Sequence, residues 1–231
     1  MLRKLKPFLL VLVGLLVATA TVGGFCLALT MPIPDRIDLK EGDLVFQTNF
    51  DTQAIAVMLA SKNPYTHMGF IRHRNTGLMV VEAVGPVTET PINEWISRGA
   101  GRRLAVKRVK GLNNAALQKV FARAKQDYGK PYDFYFLPDG KAIYCSELVK
   151  ASFAAAGISL GKLQKVAELA SSSAMESIIR DRWQNYPLCH GVKGMTLEKC
   201  RGIIMKQVLV TPASIAKDPQ VTPVYSNYPL D

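Results

Sequence analysis

A chain of 231 residues, 48% hydrophobic and 20% charged, can bury one medium core but is short for two full-sized domains. This composition excludes an intrinsically disordered polyelectrolyte and a polytopic membrane protein, and four cysteines are too few for a disulfide scaffold. The formal charge of +11 admits three partners: nucleic acid, an anionic membrane or an acidic wall polymer.

The N-terminus bears on that choice. Arg3, Lys4 and Lys6 precede an uncharged stretch over residues 7–34, and charge resumes at Asp35. Its apolar part, residues 8–31, is as long as a bilayer needs, roughly 20 residues. A basic flank before such a span keeps the N-terminus in the cytoplasm and sends the rest outside. The length favours an uncleaved anchor; the alternative is a signal peptide cut after the small residues Ala18 and Ala20. Cys26 is a spectator in this span. The expected organisation is therefore residues 1–34 as anchor or signal plus linker, and residues 35–231 as one exported domain. Export argues against nucleic acid, and neither Cys/His finger spacing nor an aromatic RNA-binding signature accompanies the charge. A membrane surface or wall polymer remains. The densest basic stretch, Arg98, Arg102, Arg103, Lys107, Arg108 and Lys110, reads as a solvated face.

Further along, Glu41-Gly42-Asp43 forms a turn before a strand over 44–46, and an Asp/Thr cap predicts a helix over 51–61. Apolar runs over 66–71 and 78–83 flank Asn75-Thr76-Gly77, a hairpin signature. A strand over 104–109 follows, then a helix capped by Asn113 or Asn114 and running to 128. Gly129-Lys130-Pro131-Tyr132 ends that helix, and a second one over 145–156 stops at Gly157. Residues 162–184 read as helical and 203–210 as a strand, and a Pro-rich tail closes the chain. Helices on a small antiparallel sheet define an α+β domain.

Cys145 starts a helix, where free N–H groups and the positive dipole end favour a thiolate. A thiolate nucleophile wants an imidazole to share its proton and later protonate the leaving amine. Of three histidines, His67 begins a strand, with Gly69 two residues on leaving room for a neighbouring backbone or ligand. Pairing Arg74 with Gly77 sets His67 opposite Val84 and Glu82 opposite Gly69. His67 and Glu82 then share a face as diagonal neighbours, and a carboxylate there orients the ring. A one-residue slip would send Glu82 to the other face.

These strings resemble a known superfamily. Gly129-Lys130-Pro131-Tyr132, a loop, then Tyr144-Cys145-Ser146-Glu147-Leu148-Val149 is similar to the nucleophile segment of the NlpC-type papain-like cysteine hydrolases. Glu41-Gly42-Asp43-Leu44-Val45-Phe46 resembles their first barrel strand, and His67-Met68-Gly69-Phe70-Ile71 their catalytic-histidine strand. Here the histidine precedes the cysteine, which resembles the circularly permuted, YiiX-like branch of amidases and peptidases, as does the tail over 208–215. The resemblance implies a papain-like core with Cys145 as nucleophile, His67 as base and acid, and Glu82 as orienting residue. It makes Tyr144, Ser146 and the Cys145 N–H candidates for holding the oxyanion or substrate. Glu147, where many relatives have Gly, reads as an acid favouring the first helical turn or a further substrate contact.

The implied reaction is attack on an amide or ester carbonyl through an acyl-thioester, with no cofactor and no metal. Wall peptides, other amides and lipid-linked amides are all admissible substrates. A lipid acyl hydrolase or acyltransferase using the same thiol, and a non-catalytic envelope-binding module, are the competing readings. Cys189 and Cys200 are disulfide candidates in an oxidising compartment. A zinc site with His190 would lack a fourth ligand. Residues 160–200 resemble the family least.

Overall fold

The computed structural model of the protein describes residues 37–49, 58, 61–169 and 173–229. The expected span over 8–31, Cys26 and most of the expected helix over 51–61 lie outside the described residues. Among the described residues no helix is long and apolar enough to cross a membrane.

Six strands form an antiparallel sheet: β1 (Leu44–Gln47), β2 (His67–Arg74), β3 (Gly77–Ala83), β4 (Val87–Pro91), β5 (Ala105–Val109) and β8 (Val221–Ser226). Their order across the sheet is β4-β3-β2-β1-β5-β8. The hairpin register is the expected one, with Arg74 opposite Gly77 and Phe70 opposite Val81. Strand alternation sorts the sheet into two apolar faces. Leu44, Phe46, Met68, Phe70 and Val81 look one way, while Val45, Ile71 and Val80 look the other. The second face is covered by Trp95 and Ile96 of α1 (Ile92–Arg98).

The first face carries α2 (Asn114–Asp127) and α3 (Cys145–Ala154), which pack on each other. Asn113 caps α2, its Oδ1 accepting the Ala116 N–H at 2.9 Å. Val120, Phe121 and Ala124 form its buried stripe. Leu148, Val149 and Phe153 do the same for α3, and each such side chain contributes about 1.5–3 kcal/mol by leaving water. These two helices and the hairpin match the sequence pattern closely.

Two expectations need correction. Residues 162–184 are not one helix: β6 (Gln164–Lys165) precedes α4 (Val166–Leu169), α5 (Ser173–Arg182) and a single 3-10 turn. Residues 203–210 are not one strand. They divide between α6 (Leu197–Lys206) and β7 (Val208–Leu209), which pairs with β6. Thr196 caps α6, Oγ1 accepting the Lys199 N–H at 3.3 Å, and Cys200 and Ile204 line its buried side. Helical spacing of apolar residues thus outweighs the β propensity of Ile203 and Ile204. The Pro-rich tail, unassigned in the sequence, carries α7 (Pro212–Ala216) and then β8, the outer partner of β5. Pro223 is tolerated there because β8 lies at the sheet edge.

Candidate active site

Cys145 is the first residue of α3, buried, and the free cysteine among the described residues. Its thiol hydrogen-bonds the His67 ring, and the Met68 N–H and the Tyr132 hydroxyl also donate to it. Burial alone would raise the thiol pKa, but these donors and the His67 charge reverse the shift and hold it below the ordinary thiol range.

His67 Nε2 lies 2.6 Å from Glu82 Oε2. Glu82 is fully buried yet ionised, with its pKa lowered to about 2. Burial would raise that value; hydrogen bonding and charge from His67 overcome it, helped by Thr90 and Arg98. Thr90 Oγ1 donates to Glu82 Oε1 at 2.5 Å, and Arg98 closes an ion pair on the same oxygen. An ionised carboxylate only accepts, so Nε2 carries a proton and Nδ1 is left to face the thiol. His67 itself is raised well above the ordinary imidazole range: burial lowers it, but contacts with Cys145 and Glu82 outweigh burial. The Trp95 ring stacks over the imidazole at 6.1 Å between centroids.

Gly69 makes this arrangement possible. A Cβ there would lie 2.6 Å from the Val81 carbonyl oxygen and 2.5 Å from a Val80 methyl carbon. Only glycine lets β3 approach β2 closely enough to bring Glu82 to His67.

The other sequence candidates fall in different places. Tyr144 is the N-cap of α3 and lines the cleft; its hydroxyl accepts the Val210 N–H at 3.1 Å and keeps a proton to donate. Ser146 is turned inward, its Oγ donating to the Val210 carbonyl at 2.9 Å, so it ties α3 to the residue that follows β7 instead of facing solvent. Glu147 accepts the Tyr144 N–H, a reach back to the cap that starts the helix. Burial raises its pKa to about 7, aided by the neighbouring charges of Asp133 and Asp127. Cys189 and Cys200 are joined in a disulfide, which leaves them no role in a zinc site. Cys200 lies within α6.

Sequence reasoning misses Tyr132, Thr90 and Arg98. Tyr132 stands in the Gly-Lys-Pro-Tyr turn, which marks a helix stop and resembles the start of the superfamily's nucleophile segment, but neither pattern gives the tyrosine itself a role. Arg98 reads as part of a solvated basic face, and Arg108 of that group also holds a buried acid, Asp43, at 2.7 Å through two nitrogens.

The cleft above Cys145 has a volume of about 150 Å³ and is lined by Asn49, Thr66, Val84, Tyr132 and Phe134, among others. Through Phe134, Phe136, Met175 and Leu209 it adjoins an apolar cavity of about 80 Å³ reaching Ile179 and Trp183.

A buried thiol at a helix N-terminus, paired with an imidazole that a carboxylate orients, on a sheet-and-helix core, defines a papain-like site. The order of its parts along the chain is permuted. The model of the permuted papain-like amidase family, YaeF/YiiX, C92, matches residues 38–225, and the chain belongs to that family. The chain is 35% identical to the uncharacterized protein YiiX of Escherichia coli K12 over 195 residues, covering 83% of this chain and 88% of that protein. It also superposes on the crystal structure of the metalloprotein YiiX from Escherichia coli O157:H7 with a TM-score of 0.71. That pair shares 32% identity over 83% of this chain and 99% of the other. Among the described residues here, no group of three or more His, Cys, Asp or Glu side chains is arranged to hold a metal ion.

Proposed function

We propose that this protein is a cysteine hydrolase that opens amide bonds through an acyl-thioester. The observation that carries the proposal is the hydrogen-bonded series Cys145–His67–Glu82 at the start of α3. The Cys145 thiolate attacks the substrate carbonyl carbon, and the carbonyl electron pair moves onto oxygen. The Cys145 N–H and the hydroxyls of Tyr132 and Tyr144, both of which line the cleft, are the donors proposed for that oxygen. Collapse of the intermediate expels the amine, which takes the His67 proton. Water, deprotonated by His67, then releases the acid and restores the thiol. Glu82 keeps the ring in one tautomer throughout.

Cell-envelope peptides are the substrate class favoured by export. Residues 1–34 are proposed as an uncleaved membrane anchor, with the catalytic domain outside the cytoplasm: periplasmic in a Gram-negative cell, secreted if the segment is cleaved. The Cys189–Cys200 bridge supports an oxidising compartment. The apolar cavity beside the cleft favours a second reading, a fatty acyl group in the amide or ester that Cys145 attacks.

The test is to trap the acyl-enzyme with cell-envelope extract and weigh the adduct on Cys145. A peptide mass supports the first reading and a fatty-acyl mass the second. Absence of any adduct, together with equal alkylation rates for Cys145 in wild type and His67→Ala, would overturn both.

A further inference from the structure

A second groove opens beside the cleft and shares two of its walls, Leu169 and Thr211. Its volume is about 640 Å³, in the range of small-molecule sites. Lys62, Lys162 and Lys217 line it, all exposed, and among the described residues none of their ammonium groups enters an ion pair. They come from three separate parts of the chain. Lys62 holds a left-handed backbone (φ 50°), a conformation that costs a residue with a side chain.

Two acids also line the groove. Asp218 spends both oxygens on backbone donors, Oδ2 on the Gly161 N–H and Oδ1 on the Gln220 N–H, each at 2.8 Å. Glu168 accepts the Lys165 N–H at 3.3 Å. Neither neutralises the three lysines fully, so the groove keeps a net positive charge. Leu163, largely exposed, gives it an apolar margin. The cleft that holds Cys145 thus shares walls with both an apolar cavity and a cationic groove.

We propose that this groove is a substrate subsite for an oxyanion, phosphate or carboxylate, carried by the molecule whose carbonyl Cys145 attacks. The inference rests on the cleft being the substrate site and specifies its substrate as an anionic amphiphile. An anionic lipid headgroup and a peptide carboxylate offer the same chemistry to three ammonium groups.

Binding to Cys145→Ala protein, which cannot turn over, tests the groove apart from catalysis. Octyl phosphate, N-octanoyl-glutamate and the uncharged octyl glucoside are titrated by calorimetry. At least one of the two anionic probes should bind tenfold or more tighter than octyl glucoside, and the tighter of the two assigns the oxyanion. That preference should vanish in K62Q/K162Q/K217Q while glucoside affinity stays constant. In protein with all three lysines intact, salt should weaken anion binding alone. Equal affinities for the anionic and neutral probes, or a preference that survives loss of the lysines or is insensitive to salt, would overturn the subsite. The hydrolase reading would stand or fall separately, on the alkylation of Cys145.

Discussion

Glu82 holds a charge with no exposure to water because His67, Thr90 and Arg98 surround it with donors. A carboxylate held below its ordinary range stabilises the fold at neutral pH, and that contribution disappears as pH falls toward about 2. The same charge keeps the His67 imidazolium favourable, and the imidazolium keeps the Cys145 thiolate favourable. Glu82→Gln should therefore lower the His67 pKa and return the Cys145 thiol toward its ordinary range near about 8.5. Alkylation of Cys145 at pH 6 should slow about tenfold or more, because the thiolate fraction falls by that factor for every pH step the thiol climbs. The pH–rate profile should move to higher pH. An unchanged profile would leave Glu82 a structural residue only. His67, Glu82 and Cys145 can be found in sequence because a strand pattern, a turn and a helix start each leave a local mark. Arg98 and Thr90 leave none: a neighbouring arginine on the same α1-to-β5 stretch faces solvent just as plausibly, and only the approach of β4 and α1 to β3 tells them apart.

At the scale of elements, the start of α3 is where helix formation and reactivity meet. Glu147 accepts the cap N–H of Tyr144, yet its other oxygen is buried without a hydrogen-bond partner. An acid whose folded pKa is raised to about 7 costs stability as pH climbs from its unfolded value of 4.5, and the full cost is present above about 7. Glu147→Gln keeps an oxygen for the Tyr144 N–H and removes the charge. It should raise the melting temperature at pH 8 by a few degrees and change it little at pH 5. That corresponds to about 1 kcal/mol, a figure discounted for the solvent that reaches the group. An equal gain at both pH values would point to packing instead of charge. Elements with one dominant period, α2 and the β2–β3 hairpin, are legible from the sequence. β4 and α1 are not, because β4 is mostly polar and Ile92, Trp95 and Ile96 keep helical spacing over a single turn, and the pairing of β4 with β3 supplies the order. β7 and α6 escape the sequence pattern because a β-branched run masks a capped amphipathic helix.

For the whole molecule, the segment from α5 to α6 is held in place by a covalent bond as well as by packing. The bridge spans 11 residues and ties the loop after Tyr186 to α6, against the apolar cavity. Loop closure of that size is worth about 3 kcal/mol in the chain-entropy account. Cys189→Ser with Cys200→Ser should lower the melting temperature and expose residues 183–200 to protease first. The alkylation rate of Cys145 should stay near that of wild type, because His67, Glu82 and Tyr132 sit on other elements. Loss of both at once would mean that this segment supports the thiol directly. The sequence marks these residues only as unlike their relatives. Their fold depends on contacts with Phe136, Leu209 and Tyr135 that no local pattern announces.

The sheet is closed at one side by β8, whose partner β5 was laid down more than a hundred residues earlier in the chain. Asn227 bonds the Leu104 backbone, and the Tyr228 hydroxyl lies 2.9 Å from Thr48. The first half of the domain thus waits for the second before its hydrogen-bond ladder is complete, and contacts so distant in sequence form slowly. A chain that ends before β8 would leave β5 as an open sheet edge. The two halves of the sheet therefore meet only once the last strand is present.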